Sequence, residues 1–179
     1  MKKTLFTFVT LGILLGVISA QAQISWKTYT NTAYGYSIPM PANLELQPWR
    51  GDPASPWQAR TKTFQSKGGN ISMVISTHWT NGRTPQEFFN DEVSARQKEG
   101  ALINYSVLKK NWFVVSGTNS LGFEYYTKLA VFGDEATGQP CYVEFTFAYP
   151  TSQRAIYDRA VTKMSREFVP DMPGNYDRE

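Results

Sequence analysis

Among its 179 residues the chain has one cysteine and one histidine. A lone Cys141 excludes an intramolecular disulfide, so stability has to come from packing. A lone His78 means that any Ser–His–Asp or Cys–His arrangement, and any histidine-based metal site, would run through that residue. The chain also lacks internal repeats, low-complexity segments, a Cys-X-X-Cys pair and a glycine-rich phosphate cradle. Its charges are interspersed and carry no basic patch, which excludes nucleic acid as a partner on electrostatic grounds.

What is present begins with MKKTLFTFVTLGILLGVISAQAQ. A short basic head, Lys2 and Lys3, precedes the uncharged run from Leu5 to Ile18. Ala20 and Ala22 then place small side chains where a signal peptidase reads. This pattern predicts a secretory leader over residues 1–22, cut after Ala22. The run is shorter than the roughly 20 residues that span a bilayer, so no stable membrane anchor is expected after cleavage. The basic head points to a bacterium, and the address to periplasm or exterior. Losing Lys2 and Lys3 takes the formal charge from +3 to +1. A single domain is expected over residues 23–169, with a flexible tail over 170–179.

Periodicity supplies the elements. Trp26 to Tyr29 and Tyr36 to Ile38 read as short strands around a turn, and Met40 to Arg60 as a long Pro- and Trp-rich loop. Arg60 to Ser66 and Asn70 to His78 alternate as strands, joined at Lys-Gly-Gly. TPQEFFNDEVSARQKEG carries a helix signature: Thr84 as N-cap, Pro85 at the first position, Glu87 closing a capping box, Gly100 as stop. Phe88, Phe89 and Val93 form its apolar stripe. Strands follow near Leu102–Lys109, Trp112–Gly117, Leu121–Phe132 and Tyr142–Tyr149. A second helix repeats Ile156, Ala160, Met164 and Phe168 beside Tyr157 and Val161. The pattern predicts an α+β fold, an antiparallel β-sheet flanked by helices on both faces.

Matching like faces predicts the register of the last hairpin. It sets Leu129 opposite Val143, Tyr125 opposite Phe147, Phe123 opposite Tyr149, and Lys128 opposite Glu144 as a cross-strand charge pair. The same argument puts Trp112 and Val114 on the Tyr125 face, with Phe113 and Val115 beside Tyr126.

YGYSIPMP at Tyr34 to Pro41, WFVVSG at Trp112 to Gly117 and YPTSQRAIYDRAVTKMSREF at Tyr149 to Phe168 resemble the PsbP/DcrB-like superfamily, and within it small secreted bacterial proteins of unknown function. The resemblance covers most of the chain after the leader. It implies a PsbP-like α/β/α sandwich and a bias towards non-catalytic binding, and it carries no catalytic residue across.

The candidate chemistry is thin. Cys141 reads as a buried small hydrophobe and His78 as a strand-end residue beside Trp79. Glu124 and Glu144, on adjacent strands and one face, could serve as paired carboxylates. Asp134 and Glu135, between glycines, lack the alternating oxygen ligands of a calcium loop. No cofactor or metal is expected. The distinctive piece is QPWRGDPASPW, with Trp49, Arg50, Asp52 and Trp57 in a Pro-stiffened loop. Its indoles suit recognition of a sugar or a protein, and equally suit covering the second face of the sheet. A fixed tripeptide such as Arg-Gly-Asp arises by chance in roughly a few per cent of chains this size, so it carries no adhesion reading. The expectation is therefore a secreted or periplasmic binding or accessory module. It would act through Trp49, Arg50, Asp52, Trp57, Trp79 and Arg83 on an envelope protein or a cell-wall glycan. The alternative is a small envelope hydrolase using His78 or surface carboxylates.

Overall fold

The computed structural model describes residues 23–52, 54–55, 60–133 and 140–170. The expected leader, Trp57, the Asp134–Glu135 turn and residues 171–179 lie outside the described residues. In chain order the elements are β1 (Trp26–Asn31), β2 (Tyr36–Pro41), β3 (Leu44–Leu46), β4 (Thr61–Ser66), β5 (Ser72–Trp79), α1 (Pro85–Lys98), β6 (Leu102–Leu108), β7 (Trp112–Thr118), β8 (Phe123–Gly133), β9 (Pro140–Pro150), α2 (Arg154–Glu167) and β10 (Val169–Pro170). Seven strands form one antiparallel sheet in the order β3-β4-β5-β9-β8-β7-β6, and β1-β2-β10 form a small second sheet.

One face of the large sheet is closed by α2 and the small sheet together. Phe145, Phe147, Val143, Met73 and Ile75 point into it and are fully buried, against Ile38 and Met40 of β2 and Ala160 and Met164 of α2. Burying a side chain of that size completely contributes about 1.5–3 kcal/mol, so this face holds most of the stability. The small sheet also explains two prolines inside a strand. β10 pairs only with Tyr36 and Ser37, so the same side of β2 at Pro39 and Pro41 needs no ladder donor.

The other face carries α1. Its capping box is formed: Thr84 Oγ1 accepts from the Glu87 amide at 3.3 Å, and Glu87 Oε2 accepts from the Thr84 amide at 2.7 Å. Phe89 meets Phe113 edge-on and Phe88 tilts against Tyr142, yet no residue of α1 is fully buried. The core here is small: Ala101, Phe113, Val115, Tyr125 and Leu129.

The register departs from the like-face expectation by one residue. Leu129 sits opposite Glu144, Ala130 opposite Val143, Tyr126 opposite Phe147 and Lys128 opposite Phe145. Leu129 thus points to the α1 face and Val143 to the α2 face. In the preceding hairpin Trp112 and Val114 lie with Ala130 and Lys128 on the α2 face, while Phe113 and Val115 lie with Leu129 and Thr127 on the α1 face. The physical reason is that β8 is buried on both sides, so neither of its two apolar sets marks an inner face. The turn that joins β7 to β8 has four residues. Asn119 Oδ1 accepts from the Leu121 and Phe123 amides, and Gly122 takes φ +79°, which is costly for other residues.

Candidate functional site

α1 packs on β6, β7 and β8. Among the described residues no helix covers the β3–β4 end of the same face. The side chains there are polar: Thr61, Thr63 and Gln65 of β4, Ser72 and Ser76 of β5, with Val74 left 36% exposed. β5 thus buries Met73, Ile75 and Thr77 on one side and offers hydroxyls on the other, the signature of a strand with one wet face.

At the margin of this surface lies a groove of about 500 Å³, lined by Pro48, Trp49, Arg50, Lys62, Thr63 and Gln65 among others. Trp49 is half-buried and belongs to neither hydrophobic core. Its indole Nε1 donates to the Asp52 carbonyl at 3.0 Å, and the Asp52 carboxylate accepts from the Ala54 amide at 2.9 Å. The ring lies so close over Gly51 that a Cβ there would stand 2.7 Å from it. Arg50, Gly51 and Asp52 are therefore folded into a tight turn under the indole, and Trp49 is held in place by that turn.

The other residues marked in the sequence lie elsewhere. Trp79 ends β5 on the α2 face, beside Cys141, and packs against the large core. Arg83 is tied to the start of α1, paired with Asp91 and stacked 4.2 Å over the Phe88 ring. Neither lines the Trp49 groove.

Two of the pairs that could serve catalysis, His78 with Cys141 and Glu124 with Glu144, are each split by the sheet itself. His78 pairs with Tyr142 and faces α1, while Cys141 is buried in the core on the α2 side. Burial, and then the charge of Arg60, hold the His78 imidazole below its ordinary value. The expected common face of Glu124 and Glu144 is overturned by the register: Glu124 pairs with Tyr149 on the α2 face, and Glu144 with Leu129 on the α1 face. Among the described residues no three His, Cys, Asp or Glu side chains stand close enough to hold a metal ion.

Two ionisable groups, Lys128 and Glu144, stand in surroundings other than the charge pair expected of them. Lys128, expected opposite Glu144, instead points to the α2 face, 8% exposed, and donates to the Ser165 carbonyl at 2.7 Å. The rings of Trp112 and Phe168 lie 5.3 and 5.8 Å from its ammonium. Burial pushes it down to about 8. A helix's last carbonyls and two aromatic faces are what a buried cation needs in place of a carboxylate. Glu144 retains some exposed area, yet the protein packed around its carboxyl pushes it up to about 7, with Glu92 adding to the rise and Arg96 opposing it. The signal for Lys128 was its position inside an apolar strand; the assumed register had supplied it with a false partner.

A large antiparallel sheet, closed on one face by a C-terminal helix and a small sheet and on the other by a single capped helix, is the PsbP-like architecture. Solved structures share it, among them these two. The solution structure of the cyanobacterial PsbP protein CyanoP from Synechocystis aligns with a TM-score of 0.55 and 12% identity, over 87% of this chain and 98% of that one. The Ran-binding protein Mog1p of Saccharomyces cerevisiae aligns with a TM-score of 0.50 and 11% identity, over 83% of this chain and 96% of that one. At such identities the likeness is one of fold. No protein-family model matches the chain, and no curated protein matches it. Among the described residues no helix is long and apolar enough to cross a membrane.

Proposed function

We propose that the protein is an exported, non-catalytic binding or accessory module of the bacterial envelope, and that the Trp49 groove is its recognition site. The export reading rests on the leader-like first 22 residues. The binding reading rests on one observation: a half-exposed indole held by its own turn beside an open surface of hydroxyl and amide side chains. An indole face stacks on the apolar side of a sugar ring, while Thr61, Thr63 and Gln65 offer hydrogen bonds to its hydroxyls. Arg50 adds a cation suited to an acidic glycan. This chemistry favours a cell-wall glycan over an envelope protein. Two pairings of the hydrolase alternative lose their basis, because His78 and Cys141, and likewise Glu124 and Glu144, occupy opposite faces of the sheet.

The test is titration of soluble peptidoglycan fragments into the protein and into Trp49→Ala, read by calorimetry. The wild type should bind, and the variant should lose at least about tenfold in affinity, the size expected for a central aromatic anchor. Equal binding by both would reject the groove. No glycan binding, with Trp49-dependent capture of an envelope protein, would reassign the partner class.

A further inference from the structure

The two edges of the seven-stranded sheet are built differently. The β3 edge is three residues long, the Lys27 ammonium donates to its Leu44 carbonyl, and the Trp49 turn follows it. Short length and a lysine are common ways of blunting an edge. The β6 edge has neither. It runs seven residues, Leu102 to Leu108, without a charge or a proline. Leu102 is 69% exposed and Tyr105 55%, and Leu121, in the turn beyond β7, is 80% exposed. A register shift between Ile103 and Tyr105 interrupts its start, where β6 presses so close to Gly117 that a Cβ there would meet the Leu102 carbonyl at 1.8 Å. From Tyr105 to Leu108 the strand is regular, and among the described residues no strand pairs with its outer side.

The charges flanking this strand are of opposite sign. Glu99 precedes it, paired with Arg96 at 3.5 Å but with its side chain still 62% exposed, and Lys109 and Lys110 follow it, both exposed. Two parallel copies would set Glu99 beside Glu99. Two antiparallel copies bring Glu99 of each towards the lysines of the other, twice over.

We propose that β6 is a self-complementary edge through which two copies of the chain pair antiparallel, about a two-fold axis near Ser106. An axis normal to the sheet keeps like faces together, so Tyr105 of one copy lies beside Val107 of the other. The union is isologous and closes after two copies, which separates it from open-ended edge stacking. It leaves the Trp49 groove free at the opposite edge, so it stands or falls independently of the glycan reading.

Sedimentation of the protein expressed from the full sequence tests this. A concentration-dependent dimer is expected over about 1–100 μM, the range of a small edge interface. Tyr105→Lys should weaken it by at least about tenfold, through a buried like charge. Glu99→Lys should weaken it about tenfold, and adding Lys110→Glu to that variant should restore it. All three positions are exposed, and circular dichroism checks that each variant is folded. Independently, the Ser106→Cys variant should form a disulfide between copies under mild oxidation, since the axis brings the two thiols together. A monomer throughout, a dimer indifferent to Tyr105→Lys, a charge swap without rescue, or a Ser106→Cys variant that fails to cross-link would each overturn the proposal.

Discussion

On the α2 face the β8–β9 hairpin meets two covers at once, and Phe145, Phe147, Leu44 and Met164 are sealed from water. On the α1 face the same hairpin meets one helix whose Phe88, Phe89 and Val93 are only half-buried. The difference separates two tasks within one sheet. The closed face holds the fold. The other face carries less of it, and among the described residues no helix lies over its polar strands.

The sharpest way to break this comparison is to cut equal rings from the two faces. Phe147→Ala should cost about 3–5 kcal/mol, because a fully enclosed ring leaves a cavity behind. Phe89→Ala should cost about 1–2 kcal/mol, since water already reaches that ring. Denaturant unfolding of both variants measures the gap, and equal losses would erase the distinction.

The α1 face should also show its strain in the pH profile. Burial raises Glu144 from 4.5 to about 7, so the folded chain binds this proton more tightly than the unfolded one. Its contribution to stability is full below 4.5 and is lost as pH rises through 7. Glu144→Gln should therefore be more stable than the wild type at pH 8, by about 1–3 kcal/mol, with the difference vanishing near pH 4. A gain that persists at pH 4 would mean that packing, and not charge, is responsible.

The smallest expected effect is at the edge of the same helix. Thr84→Ala removes the side-chain acceptor of the capping box and should cost about 1 kcal/mol. Thermal unfolding checks it; a loss as large as that of Phe147→Ala would make α1 far more central than its exposure implies.

Local chemistry was legible in the sequence wherever a single residue type decides the outcome. Thr84, Pro85, Glu87 and Gly100 bracket α1 as expected, and Tyr157, Ala160, Met164 and Phe168 face the core. Strand positions were legible too, but their mutual register was not. Period-two patterning identifies the core side of a strand only when the other side is wet, and β8 is buried on both. β3 went unread because Leu44 to Leu46 is three residues long inside a proline-rich stretch, and β10 because two residues carry no period. Of the six residues marked as a candidate site, Trp49, Arg50 and Asp52 fold into one turn, while Trp79 and Arg83 lie elsewhere. That Trp49 stands outside both cores depended on its hydrogen bond to Asp52, a contact closed by backbone geometry and invisible to composition.

Cys141 is 5% exposed, and the strand that carries it is flanked by β5 and β8. A reagent for thiols reaches that sulfur when the strand ends around it, at Trp79 and Phe132, open. The chain therefore contains its own stopwatch: the rate of alkylation at one atom counts how often the folded molecule opens, with no label added and no second thiol to confuse the tally.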